Sequence, residues 1–303
     1  MDQMPKQECN DKEQVYDLLV GKAQRHFSDS ALAKLVKPSP YDPSRETHNF
    51  DNVVFEARPN RLTPSVIKGL ACAVAGINPI SLNKKIAQPF TGHIDNAMDS
   101  LCKGRLAVIT GHQTMFEPCF ALFGLQVALD KQGYSDYPDI AKDTHLVAAR
   151  ALATVDIAGR WPLTSLARQI ANIYYTFPKT DSYKDIPENI GNSHNRRMLA
   201  QLVSKTRPDG SIMVISSSAT TEKKNSADYN VVPRVTDGTL KLLQKNWDVW
   251  PIGGSFKSGS LEIRPGSIIP ASDVSEDVIH SAMQDVVVAS RNDLGIPSIY
   301  AQA

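Results

Sequence analysis

Apolar positions fall at helical spacing through the first hundred residues, then switch near Arg105 to short apolar runs alternating with amphipathic stretches. "QVYDLLVGKAQRHF" (14–27), "TPSVIKGLACAVAGI" (63–77) and "IDNAMDSLCKG" (94–104) read as helices, the second opened by Thr63-Pro64 and the third closed by Gly104. Between the first two, "VKPSPYDPSRETHNF" (36–50) has the proline and serine content of a loop or linker. From Arg105 the strand runs are "LAVITG", a short piece of "THLVAARAL", "IYYTF", "GSIMVISSS", "DVWPIGGSF" and "LEIRPGSIIP". Helical patterns separate or follow them: "FALFGLQVALDKQG", "PLTSLARQIAN", "NRRMLAQLVSKT", "TDGTLKLLQKN" and "SEDVIHSAMQDVVVASRNDLG". This alternation predicts an α/β fold, a central mixed sheet flanked by helices over residues 96–303, preceded by a smaller helical region over 1–95. In "PIGGSF" the glycines suggest a turn after a strand.

Composition narrows the class. The chain has 303 residues, 42% hydrophobic and 21% charged, as a globular protein does. A net charge of +1 offers no general field for nucleic acid, so any anion site has to be local. Cys9, Cys72, Cys102 and Cys119 are scattered without a C-x-x-C pair, against zinc or a disulfide framework and in keeping with a reducing, cytoplasmic setting. No apolar run approaches the ~20 residues of a membrane span, and the polar N-terminus has no signal-peptide core.

The candidate chemistry lies at "LAVITGHQTMFEP" (106–118), where a histidine directly follows a strand and a helix opens. Reactive groups gather at the carboxyl ends of strands in open α/β sheets. If both were helical, His112 and Glu117 would point ~140° apart. They meet only if His112 sits in the turn and Glu117 in the first helical turn. Glu117 also has a plain structural reading as the capping-box partner of Thr114. The two roles are compatible when one carboxylate oxygen is left for the imidazole. Asp143 and His145 read as strand-edge decoration, and the remaining histidines lack metal-like spacing.

"GHQTMFEP" resembles the H-x-x-x-x-D block of glycerolipid acyltransferases, in particular the soluble chloroplast-type glycerol-3-phosphate acyltransferases. The likeness runs in order over about residues 95 to 256, through "VAARALATVDIAGRWPLTSLARQIANIYYTF", "KDIPENIGNSHNRRMLAQLV", "DGSIMVISSSATTEKK" and "VWPIGGSF". The resemblance implies His112 as general base and Glu117 as its orienting carboxylate, with a glutamate where the family has aspartate. It implies acyl carrier protein or acyl-CoA as donor and a glycerol 3-phosphate-like acceptor. No metal, organic cofactor or nucleic acid is expected, and peripheral membrane contact is compatible. The family's third-block arginines fall on Thr220 and Glu222, leaving Lys223 and Lys224 beside the gap. Lys179, Arg196 and Arg197 are the remaining cations for the phosphate, and Ser217, Ser218 and Thr220 offer hydroxyls. These departures keep open a second reading, a catalytically altered protein of this fold that binds a lipid or acyl-carrier partner.

Overall fold

A computed structural model describes residues 4–27, 36–60, 87–111, 116–157, 159–178, 183–216, 234–257 and 260–296. The chain divides into two compact units, each built from two stretches: Met1–Arg58 with Val147–Lys205, and Pro59–Leu146 with Thr206–Ala303. Among the described residues, no helix is long and apolar enough to cross a membrane.

The second unit is an α/β layer structure. Its strands are β3 (Arg105–Thr110), the start of β4 (Thr144–Ala149), β8 (Ile212–Ser216), β9 (Trp247–Lys257) and β10 (Ser260–Pro265), ordered β10-β9-β3-β8-β4. β9, β3, β8 and β4 run parallel, and β10 closes one edge as an antiparallel hairpin, so the sheet is mixed. Apolar residues fill β3 without alternation, because a parallel strand is covered on both faces: Leu106, Ala107, Val108 and Ile109 are all buried.

Helices cover this sheet. α2 (Ile94–Lys103) ends at Gly104, which is extended there (φ −175°). Its last carbonyls are satisfied from another turn, where the Gly210 N–H donates to Leu101 (2.9 Å) and Gly104 (3.1 Å). Gly210 sits at φ +73°, a conformation that favours glycine. α3 (Phe116–Lys131) is apolar on every side, and from Phe120 to Leu129 it is buried throughout. α4 (Tyr137–Lys142) is a short helix that the periodicity did not announce. α7 (Asp237–Leu243) and α8 (Glu276–Asp293) are capped by the Thr236 and Ser275 hydroxyls. Arg234 bridges Glu276 and Asp277 in the first turn of α8.

"PIGGSF" lies within β9 and is not a turn. The glycines there serve close packing: a Cβ on Gly253 would fall 2.1 Å from the Val286 carbonyl oxygen. The backbones of β9 and α8 therefore touch. One turn further along, Ser290 donates to the Val287 carbonyl (2.9 Å), so the Ser255 hydroxyl donates to Ser290 (2.8 Å).

The first unit holds α1 (Met4–Phe27), an antiparallel pair of β2 (Val54–Phe55) with β7 (Asn172–Thr176), and a three-stranded antiparallel sheet β1-β5-β6. The latter joins Val36–Pro38, Val155–Ile157 and Trp161–Pro162. α6 (Glu188–Lys205) extends the helix expected at 195–206 by two turns at its start. α5 (Leu163–Ala167) is much shorter than the pattern over 162–172 implied. The cause is Arg168, a buried side chain drawn to the Glu56 carbonyl (2.7 Å) and Glu46 carboxylate (3.0 Å), while its own carbonyl accepts from Arg58 N–H (2.6 Å).

Candidate functional site

The parallel register of the second unit brings two chemically suggestive segments to one edge. Thr110, last in β3, pairs with Ser216, last in β8, and with Ile252 in β9. His112 follows Thr110 by two residues, and Ser217 follows Ser216 directly. Side chains of register partners share a face in a parallel sheet, and neighbours along a strand alternate. Gly111 and Gly253 face α8: a Cβ on Gly111 would meet Val287 at 3.4 Å. Thr110, Ser216 and Ile252 therefore point to the opposite face, where the Gln126 amide of α3 donates to Thr144 at 3.2 Å.

At this edge two polar atoms stand out. The hydroxyl oxygens of Thr110 and Ser216 are buried and have no hydrogen-bond partner among the described residues. Thr110 is 1% exposed. A buried hydroxyl left unpaired costs roughly 1–3 kcal/mol, so most are satisfied. Two of them side by side, at the carboxyl ends of adjacent parallel strands, mark a place for a polar group. The sequence carried a faint signal of this: each apolar run, "LAVIT" and "IMVIS", ends in a hydroxyl residue.

Of the residues singled out from sequence, His112, Lys179, Ser217, Ser218, Thr220, Lys223 and Lys224 lie outside the described residues. Glu117 falls in the first turn of α3. Arg196 and Arg197 lie on α6, in the first unit, and are exposed. Arg197 is engaged by the Asp51 carboxylate (2.8 Å) and the Phe50 carbonyl (3.3 Å), an ordinary solvated-face pairing. His145 is buried on β4, not decorating an edge, and Asp143 pairs with Arg207 at 2.7 Å.

The first unit contains a polar network that sequence reasoning passed over. Asp42 N–H donates to His48 Nδ1 (3.0 Å), so the proton of the neutral ring is on Nε2, which donates to the Tyr16 oxygen (2.9 Å). Tyr16 in turn donates to the Ser39 carbonyl (2.9 Å). Arg150, 1% exposed, donates to the carbonyls of Asn52, Thr47 and Asn49 at 2.9–3.0 Å. Its guanidinium lies 5.5 Å from the ring centres of Phe50 and Tyr175. His194 sits between the Phe50 (3.2 Å) and Tyr175 (2.9 Å) carbonyls. Burial, then the charge of Arg45, pulls the His48 pKa down to about 4. Burial and Arg150 do the same for His194, outweighing its carbonyl partners. His48 is thus a neutral strut within residues 39–52, whereas the neutral His194 ring has one N–H and can donate to only one of its two carbonyls.

Among the described residues no group of three or more His, Cys, Asp or Glu side chains is disposed to hold a metal ion. Compared with protein-family models and with curated proteins, the chain matches none.

Proposed function

We propose that this chain is an O-acyltransferase that moves an acyl group from a thioester, on acyl carrier protein or coenzyme A, to a hydroxyl of a glycerol 3-phosphate-like acceptor. The arrangement of its α/β unit is then of the glycerol-3-phosphate acyltransferase kind, and its setting is cytoplasmic lipid synthesis. The observation that carries the reading is the Thr110–Ser216 register, which leads the segments "GHQTMFEP" and "SSSATTEKK" away from neighbouring positions on one strand edge, beside two unsatisfied hydroxyls.

In the proposed reaction the neutral His112 imidazole takes the acceptor's hydroxyl proton as its oxygen attacks the thioester carbonyl carbon. Glu117 holds the imidazole tautomer and stabilises the imidazolium. Collapse of the tetrahedral adduct breaks the carbon–sulfur bond, and the imidazolium returns the proton to the departing thiolate. The products are an ester and a free thiol, without a cofactor. Lys223 and Lys224 are the cations proposed for the acceptor's phosphate, and Ser217, Ser218 and Thr220 the neutral donors.

A second reading is favoured by Thr220 and Glu222 standing at the arginine positions and Glu117 at the aspartate position: a binding protein of this fold without turnover. Thiol release from an acyl thioester, measured with phosphorylated and unphosphorylated polyol acceptors, separates the two. Acceptor-dependent release that falls ~10²–10⁴-fold in His112→Ala supports the enzyme. Lipid affinity without acceptor-dependent release in the parent protein supports the binder.

A further inference from the structure

The first unit carries an exposed aromatic–cationic tip with no role in acyl transfer. It is the turn joining β5 to β6, where Gly159, Arg160 and Trp161 are exposed in succession and Gly159 takes φ +66°. Trp161 is 60% exposed, whereas Trp247 and Trp250, the chain's other tryptophans, are 1% and 0% exposed. The Arg160 guanidinium lies 5.7 Å from the indole ring centre. Lys37 of β1, the register partner of Asp156, projects from the opposite face to Trp161 and flanks the tip at Gly159, its Cγ 3.9 Å from where a Cβ on that glycine would be.

Two further observations shape the patch. The register Val36↔Ile157↔Trp161 places these three on one face of the small sheet, an apolar row that grades from buried Val36 to exposed Trp161. The one carboxylate of the hairpin, Asp156, is 4% exposed and paired with Arg45 at 3.1 Å, so its charge is turned inward. Neither Lys37 nor Arg160 has an ion pair among the described residues.

We infer that this hairpin tip, Lys37, Arg160 and Trp161, is a docking point for a lipid surface bearing anionic headgroups. An indole is apolar over its body with a donor at its edge, which suits the boundary between acyl chains and headgroups. A stacked guanidinium and a nearby ammonium supply the charge complement to lipid phosphates, and their aliphatic stems run along apolar surface. A nucleic acid would call for a wider basic face than a chain of net charge +1 offers. The inference stands apart from the acyl-transfer reading, since its test uses no substrate.

The test titrates the whole chain with vesicles of phosphatidylcholine alone or mixed with phosphatidylglycerol, following tryptophan emission and co-sedimentation. With the buried Trp247 and Trp250 as a constant background, a blue shift on the mixed vesicles reports Trp161 entering an apolar layer. The shift should vanish in Trp161→Phe. Trp161→Ala should lower vesicle affinity roughly tenfold, and Lys37→Gln or Arg160→Gln about fivefold each. All three positions of change are solvent-facing, so the parent's circular dichroism should persist. The proposal is overturned by an unshifted parent emission, by a shift that survives in Trp161→Phe, or by undiminished co-sedimentation of Trp161→Ala. An equal shift with lipid-free RNA would also overturn it, in favour of a polyanion site.

Discussion

Arg150 in the first unit and Thr110 in the second are each 1% exposed, yet the guanidinium meets three carbonyls and the hydroxyl has no hydrogen-bond partner among the described residues. The charged group would be far costlier to leave unpaired, and it is the one fully served. Around it every strut closes: Tyr16 to Ser39, His48 to Asp42, Arg168 to Glu56. That is how polarity looks when its purpose is to hold irregular chain in place. At the end of β3 the same cost is accepted without any return within the described residues, the pattern that the proposed acceptor site would require.

The comparison can be broken in several ways. Arg150→Met keeps the volume but strips the donor from three carbonyls, that of Thr47 buried and those of Asn49 and Asn52 partly so, and should cost at least about 3 kcal/mol by urea unfolding. A loss under about 1 kcal/mol would mean the network is not a strut. Acid should reach the first unit through its histidines. His48 and His194 are held near pKa 4 in the fold, against about 6.5 in an unfolded chain. The unfolded state therefore binds more protons between these values, and stability is complete above about pH 6.5 and declines as pH falls toward 4. Urea midpoints across that window should slope downward, and His194→Gln should flatten the slope; an unchanged slope in this variant would remove His194 from the account.

The smallest expected change bears on the other side of the comparison. Thr110→Val removes an unpaired hydroxyl, so the free protein should keep its stability or gain up to about 1 kcal/mol. Acceptor-dependent thiol release should nevertheless drop about tenfold, the worth of one hydrogen bond to a ligand. If the thermal midpoint falls instead, the hydroxyl has a structural partner and the contrast with Arg150 dissolves.

Much of the second unit was legible from periodicity. β3, β8 and β9 are apolar runs long enough to register, and α2 and α8 repeat at helical spacing over ten and eighteen residues. The first unit was harder to read because β1, β5 and β6 have three, three and two residues, too few for alternation to be recognised. "VKPSPYDPSRETHNF" reads as a loop and is largely irregular, but composition alone could not show that its Thr47 and Asn49 carbonyls anchor Arg150, about 100 residues away. The arginine inside the apolar "VAARAL" was the available sign, since a cation in such a run requires buried acceptors. For the site itself, strand ends and their shared edge were readable, whereas the pairing of Thr110 with Ser216 depends on strand order, which no local pattern encodes. The chain also enters each unit twice, a path set by long-range contacts alone.

Gly253 gives the strand edge a mechanical property. Where a helix and a strand meet through interleaved side chains, rotamer changes can absorb a small slide between them. Here main chain lies on main chain at Val286, with no side chain from the strand to act as a cushion. Tilting or shifting α8 would thus drag β9 with it, and with β9 the neighbouring end of β3. A displacement of α8 is thereby coupled, through β9, to the strand end that carries Thr110.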